Sequence, residues 1–221
     1  MTEASTAPLR LGILGCAAIA RPFVRDVAAS PALRVVAAAS RDADKAQAFC
    51  RDFGIARPHG SYEALLADPG VDAVYIPLPN TLHCEWAVKA AQAGKHVLCE
   101  KPLAVSLAEA HQMFAAARSH GVVLLEAYPW WFQPQTGQLV QLLAEGAIGR
   151  VMAVQASFGF ALRGQPANIR LDPALGGGAL LDAGSYTASL VRLAFGEAPV
   201  QAQAQASWTE RGVDLHTTAT L

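Results

Sequence analysis

Short apolar runs alternate with stretches of helical spacing through residues 1–127, and this rhythm predicts a parallel, doubly wound α/β sheet. Leu9 to Leu14, Leu33 to Ala39, Val71 to Ile76, Val97 to Cys99 and Val122 to Leu125 read as strands buried on both faces. Between them, Phe23, Val24 and Val27 keep a helical repeat. Asp42 is placed to cap a helix over Ala43 to Phe53, Tyr62 to Leu66 reads as a short helix, and Thr81 to Ala93 as a longer one. Ser106 opens another through His120, with Glu109 in capping-box position, and Gly121 ends it.

The pattern changes at Glu126 to Pro134 (EAYPWWFQP), taken as the exit from a first domain, residues 1–127, into a second, residues 128–221. Gln138 to Glu145 is expected to be helical. Arg150 to Phe160 alternates apolar and polar residues as a strand does. Ala161 to Ala174 is polar and irregular, and its Arg163, Asn168 and Arg170 either line a substrate entrance or are solvated. Gly176, Gly177 and Gly178 lead into a helix reading ALLDAGSYTASLVRLAF. Pro199 to Trp208 alternates strictly, and another strand begins at Val213 and runs to the last residue.

Composition narrows the class. The chain has 221 residues, 52% hydrophobic and 16% charged, with a net charge of -1. Such a balance gives no electrostatic case for nucleic acid or an anionic membrane, and no run has the length of a membrane span. The beginning of the chain lacks an apolar core of signal-peptide length. Cys16, Cys50, Cys84 and Cys99 are scattered without metal-ligand spacing. They are expected to be reduced thiols in a cytoplasmic protein without a metal site.

Candidate chemistry gathers where strands end, because ligands of open α/β sheets bind at their carboxyl edge. Strand Leu9 to Leu14 runs into Gly15-Cys16-Ala17-Ala18-Ile19-Ala20, a strand, turn and helix junction suited to a dinucleotide pyrophosphate. Gly12 and Gly15 fit the fingerprint, while Ala17 and Ala20 stand where its other glycines belong. After the second strand comes Ser40-Arg41 instead of an acid, which favours NADP over NAD. Pro77, Leu78, Pro79 and Asn80 form either a plain turn or a rigid floor under a nicotinamide ring. Glu100, Lys101 and Pro102 close the strand reading HVLC, as either a charged surface turn or an acid and an ammonium placed for chemistry, with Pro102 restricting the Lys101 backbone to an extended conformation. Trp130, Trp131 and Phe132 suit inter-domain packing or a stacking wall for a ring-shaped substrate.

These motifs in this order, GILGCAAIA, SRD, VDAVYIPLPNTLHCEWAVKAAQAGKHVLCEKPLA and GGGALLDAGSYTASLVRLAFG, resemble the Gfo/Idh/MocA oxidoreductases. The similarity runs from about Leu9 to the last residue. The nearest branch holds glucose-fructose oxidoreductase, dihydrodiol dehydrogenase and NADP-dependent xylose dehydrogenases. The resemblance implies a Rossmann domain followed by an α+β domain with a large, open, mostly antiparallel sheet, here cut short. It implies hydride exchange between NADP or NAD and a hydroxyl-bearing carbon of a sugar or cyclic polyol. It places Lys101, Asp182 and Tyr186 in catalysis. Asp182 and Tyr186 fall on one face of their helix. Gly12, Gly15, Cys16, Ala17, Ile19, Ser40, Arg41, Pro77, Asn80, His83, Glu100 and Lys101 are implied on the cofactor side, and Trp130, Trp131 and Arg163 on the substrate side. A homodimer or tetramer through the second domain's sheet is implied too. Relatives of this branch commonly carry Arg and His where Trp131 and Gln133 stand, a departure from the family pattern that bears on substrate preference. A cofactor-sensing regulator on the same fold and a tetrapyrrole reductase are the competing readings.

Overall fold

A computed structural model describes residues 7–162 and 168–221. The chain divides into two compact units, Met1–Ala127 and Tyr128–Leu221. The first is built on a parallel sheet of six strands in the order β3-β2-β1-β4-β5-β6. These are β1 (Leu9–Leu14), β2 (Leu33–Ala39), β3 (Arg57–His59), β4 (Ala73–Ile76), β5 (His96–Glu100) and β6 (Leu124–Ala127). Five helices connect them: α1 (Ala20–Val27), α2 (Ala43–Phe53), α3 (Tyr62–Leu66), α4 (His83–Gln92) and α5 (Leu107–Ser119). The strand order reverses between β1 and β4, the topological switch point of a Rossmann sheet.

Alternation along the central strands supplies both cores. Leu11, Ile13, Ala73 and Tyr75 face one side with Val24 and Phe49. Leu14, Val74 and Ile76 face the other with Leu65, Trp86 and Met113. Each of the larger side chains contributes about 1.5–3 kcal/mol by leaving water. Ala37, Ala38 and Ala39 have no exposed surface, and their small size lets β2 take helices close on both faces. The caps follow the sequence. Asp42 accepts from the amides of Asp44 and Lys45, and Ser106 accepts from that of Glu109. The Glu109 carboxylate closes back on the amide of Val105, one residue earlier than a standard capping box.

Several boundaries differ from expectation. The three-residue edge strand β3 contains Pro58 and is too short for periodicity to reveal. The helix expected over Thr81 to Ala93 begins as a 3-10 turn, Asn80–Leu82, before α4. The strand expected from Val71 begins at Ala73, because the Val71 carbonyl accepts from Lys95 Nζ.

At the amino edge of the sheet, Arg10 and Asp72 form an ion pair. The guanidinium holds the Asp72 carboxyl down to about 2, below its ordinary value of about 3.9. A depressed folded-state pKa stabilises fully above the ordinary value and loses that stabilisation as pH falls through the folded one. Asp72→Asn is therefore expected to flatten the fall of Tm between about pH 4 and pH 2, read by thermal unfolding across that range. The effect is modest because water screens this half-exposed pair.

The second unit holds α6 (Pro134–Ala144), α7 (Ser185–Phe195) and an antiparallel ladder of β7 (Gln203–Trp208) with β8 (Asp214–Thr220). Among its described residues, Arg150 to Phe160 forms no strand. Alternation marks an amphipathic segment, but a strand also needs a partner for its backbone groups, and the ladder found here joins only β7 and β8. The helix after the triple glycine opens with a π turn, Leu180–Gly184, containing Asp182. Such turns recur at functional sites, and hydrophobic spacing does not announce them.

Candidate active site

The carboxyl edge of the first unit gathers most of the predicted cofactor residues. Gly15 has φ +126°, open to glycine but strained for any other residue, and a Cβ there would lie 2.7 Å from Leu78 Cδ2. Its amide donates to the Ala39 carbonyl at 3.1 Å, which ties the loop after β1 to the end of β2. Helix α1 starts at this loop with no side-chain cap and no acid in its first turn. Its leading amides thus favour an anion. Ala17 is half-buried and Ile19 exposed beside them. Gly12 has a different task from the one expected: a Cβ there would meet Leu65 Cδ2 at 2.9 Å, so it lets α3 pack on β1. The Cys16 thiol is pushed up to about 11, chiefly by burial, and is a neutral lining group instead of a nucleophile.

At the end of β2, Ser40 is buried and its Oγ accepts from the Asp42 amide. Arg41 is exposed beside the Tyr62 hydroxyl. Burial raises the Tyr62 pKa, and the Arg41 charge opposes it. Lys45, in the first turn of α2 and without any motif of its own in the sequence, lies close enough to act on the Cys16 thiol. It brings a second cation to this corner.

The loop after β4 carries Pro77, buried Leu78, Pro79 and Asn80. His83, expected at the cofactor, is instead turned inward and is 1% exposed. Its Nδ1 lies 2.9 Å from the Pro102 carbonyl oxygen and its Nε2 2.8 Å from that of Leu78. One imidazole therefore braces the exits of β4 and β5, and it is not available to touch a dinucleotide. The end of β5 is held as tightly. Tyr75, buried and stacked on Phe23 at 4.1 Å, donates its hydroxyl to Glu100 Oε1 at 2.6 Å. Glu100 Oε2 accepts from the Lys101 amide at 3.2 Å. Burial and the Glu100 charge push the Tyr75 pKa far up, so it stays a neutral donor. Glu100 is thus a support for Lys101, and the Lys101–Pro102 peptide is cis.

In the second unit, Arg170 Nε donates to Asp182 Oδ2 at 2.6 Å, which overturns the solvated reading of Arg170. The same guanidinium lies 5.5 Å from the centre of the Phe160 ring. Tyr186 stacks on Tyr128 at 4.8 Å, and Phe158 meets it edge-on at 5.2 Å. These contacts fix the planes of the Tyr186 ring and the Asp182 carboxylate. The triple glycine makes room for backbone: a Cβ on Gly177 would meet the Arg170 carbonyl at 2.5 Å. Trp130 is half-buried and meets Tyr128 and Trp131 edge-on, whereas Trp131 is 48% exposed. Arg163 lies outside the described residues.

A glycine-turned loop and an uncapped helix start at the carboxyl edge of a 3-2-1-4-5-6 sheet are the features of a Rossmann fold of the dinucleotide-binding class. The family model "Oxidoreductase family, NAD-binding Rossmann fold" matches residues 9–128, and "GFO/IDH/MocA C-terminal domain" matches residues 136–221. The chain belongs to the GFO/IDH/MocA oxidoreductase family.

A D-xylose 1-dehydrogenase (NADP(+)) of Haloferax volcanii is 43% identical over 85% of this chain and 58% of its own length. A trans-1,2-dihydrobenzene-1,2-diol dehydrogenase of Danio rerio is 41% identical over 96% of this chain and 64% of its own. A 3-ketoreductase of Actinomadura kijaniata, solved with NADP and TDP-benzene, superposes with a TM-score of 0.88 at 40% identity, covering 96% of this chain and 65% of that one. The chain spans less than two thirds of the length of each. Among the described residues, no helix is long and apolar enough to cross a membrane.

Proposed function

We propose that this chain binds NADP and exchanges hydride with a hydroxyl-bearing carbon of a sugar or related cyclic polyol. The observation that carries the reading is the carboxyl edge of the parallel sheet, where the Gly15 loop and Ser40-Arg41 end the neighbouring strands β1 and β2, and Lys101 ends β5 on the far side of β4. The residues fit the cofactor. Gly15 leaves a cradle that a Cβ would fill, the start of α1 favours the pyrophosphate, and Arg41 with Lys45 suits a 2′-phosphate. When bound, the nicotinamide supplies or accepts the hydride.

The chain's own residues then handle orientation and the proton. The Lys101 ammonium polarises the reacting oxygen, Tyr186 carries the hydroxyl proton, and Asp182 orients a neighbouring hydroxyl. Trp131 offers an exposed ring face to a sugar. The buried or half-buried free thiols suit a cytoplasmic setting. Exposed Trp208 and Leu215 on the β7–β8 ladder favour self-association through that sheet.

The test is nicotinamide absorbance with NADP and a panel of aldoses, cyclic diols and keto-sugars. Turnover of one class supports the reading, and NADP binding without turnover of any substrate makes the chain a cofactor-binding regulator instead. For the cofactor itself, Arg41→Ala is expected to weaken NADP by about 10–100-fold, as losing charge-assisted bonds to phosphate does. NAD binding should stay within about twofold, as its ribose lacks the phosphate. Fluorescence titration of both cofactors reads the difference, and equal loss for both would remove Arg41 from 2′-phosphate recognition.

A further inference from the structure

Three successive residues of the Lys101 turn have their backbone held by ionisable side chains from elsewhere in the first unit or from the turn itself. The Lys101 amide donates to Glu100, the Pro102 carbonyl faces His83, and the Leu103 amide donates to Glu126 Oε1 at 2.8 Å. Glu126 lies on β6, opposite Cys99 of β5 in the parallel register. It is half-buried at the carboxyl edge, the place where a strand-end acid serves a ligand site. Leu103 itself packs against the core, so the amide that Glu126 accepts is anchored on both sides.

We infer that Glu126 is a positioning residue for Lys101, fixing the turn that presents the ammonium by accepting the Leu103 amide. The inference rests on the assignment of Lys101 to catalysis. Glu126 does not touch the reacting atoms. Burial raises its carboxyl pKa, with the Glu100 charge adding to the rise and the Leu103 amide and Lys101 opposing it. A neutral carbonyl oxygen in the same place also accepts this amide, though less strongly than a carboxylate does. That separates positioning from proton transfer: Glu126→Gln keeps the oxygen, and Glu126→Ala removes it.

The experiment compares both variants, alone and with Lys101→Ala, in the full chain. Glu126→Ala is expected to lower kcat by about 10²-fold, the scale of an ångström-sized misplacement, with little change in the NADP dissociation constant. Glu126→Gln is expected to keep near wild-type kcat, and Glu126→Ala is expected to cost nothing further once Lys101 is Ala. Should Glu126→Ala unfold, Glu126→Met preserves volume and carries the same comparison. Wild-type kcat in Glu126→Ala, equal losses in Ala and Gln, or an undiminished loss in the Lys101→Ala background would each overturn the inference.

Amide hydrogen exchange at Lys101 and Leu103 separates this from the activity itself. Faster exchange in Glu126→Ala but not in Glu126→Gln supports the support role even where no substrate is turned over. Unchanged exchange overturns it. Full activity in Lys101→Ala alone would instead overturn the assignment of Lys101.

Discussion

Lys101→Ala is expected to lower kcat/KM for hydride exchange by about 10²–10³-fold, the range for removing one preorganised group that stabilises charge on a reacting oxygen. The turn that carries Lys101 is fixed through its backbone, so the side chain can be cut away while its mounting stays. Neither the Tyr75–Glu100 bond nor the His83 contacts involve the lysine ammonium. NADP affinity and Tm should therefore move little, and single-turnover kinetics with preloaded cofactor would place the loss in the chemical step. Tyr186→Phe keeps the ring that stacks on Tyr128 and removes only the hydroxyl. Its expected loss, of order 10²-fold or more, is that of a general acid or base. A large rise in KM with unchanged kcat for either variant would move that residue from catalysis to substrate holding.

The largest effect on stability is expected at Gly178. Its φ of +134° is open to glycine alone, and a Cβ there would lie against Asp214 Oδ1. Asp214 accepts from the Leu180 amide at 2.7 Å and the Thr217 hydroxyl at 2.9 Å, so it joins the start of β8 to the start of the helical segment that carries Asp182. Gly178→Ala forces strained backbone, about 1–2 kcal/mol, and displaces a capping carboxylate, about another 1 kcal/mol. The expected destabilisation of the second unit is about 2–3 kcal/mol. Urea unfolding followed by tryptophan fluorescence reads it, because Trp130, Trp131 and Trp208 lie in that unit. Gly137→Ala is the control. Gly137 sits inside α6 with open space around it, so Ala there should stabilise by about 0.5–1 kcal/mol.

The first unit was legible because its signals are local. An apolar run bounded by Gly or Pro needs no distant partner to be read as a buried strand, and Asp42 and Ser106 cap the helices beside them. The Gly15 loop, Ser40-Arg41 and Lys101 each follow such a strand, so their convergence came from topology alone. What escaped the sequence depends on distant partners. Histidine at position 83 gives no local hint that two carbonyls five and nineteen residues away will claim both ring nitrogens. Arg170 looked like a solvated loop residue because the Asp182 carboxylate it meets is twelve positions on. Residues 150–160 alternate correctly for a strand, yet alternation reports sidedness and not pairing. Glu126 was within reach, since the carboxyl-edge rule that singled out Glu100 applies equally to the strand beside it.

The His83 brace has a consequence for ligand binding. With one ring spanning the Leu78 and Pro102 carbonyls, the exits of β4 and β5 lose their independent motion when the chain folds. The entropy of ordering them is then met by the fold itself and not by an arriving dinucleotide. Contacts made to that edge can go more fully into affinity and orientation, which is the advantage of a rigid receptor over one that must assemble around its guest.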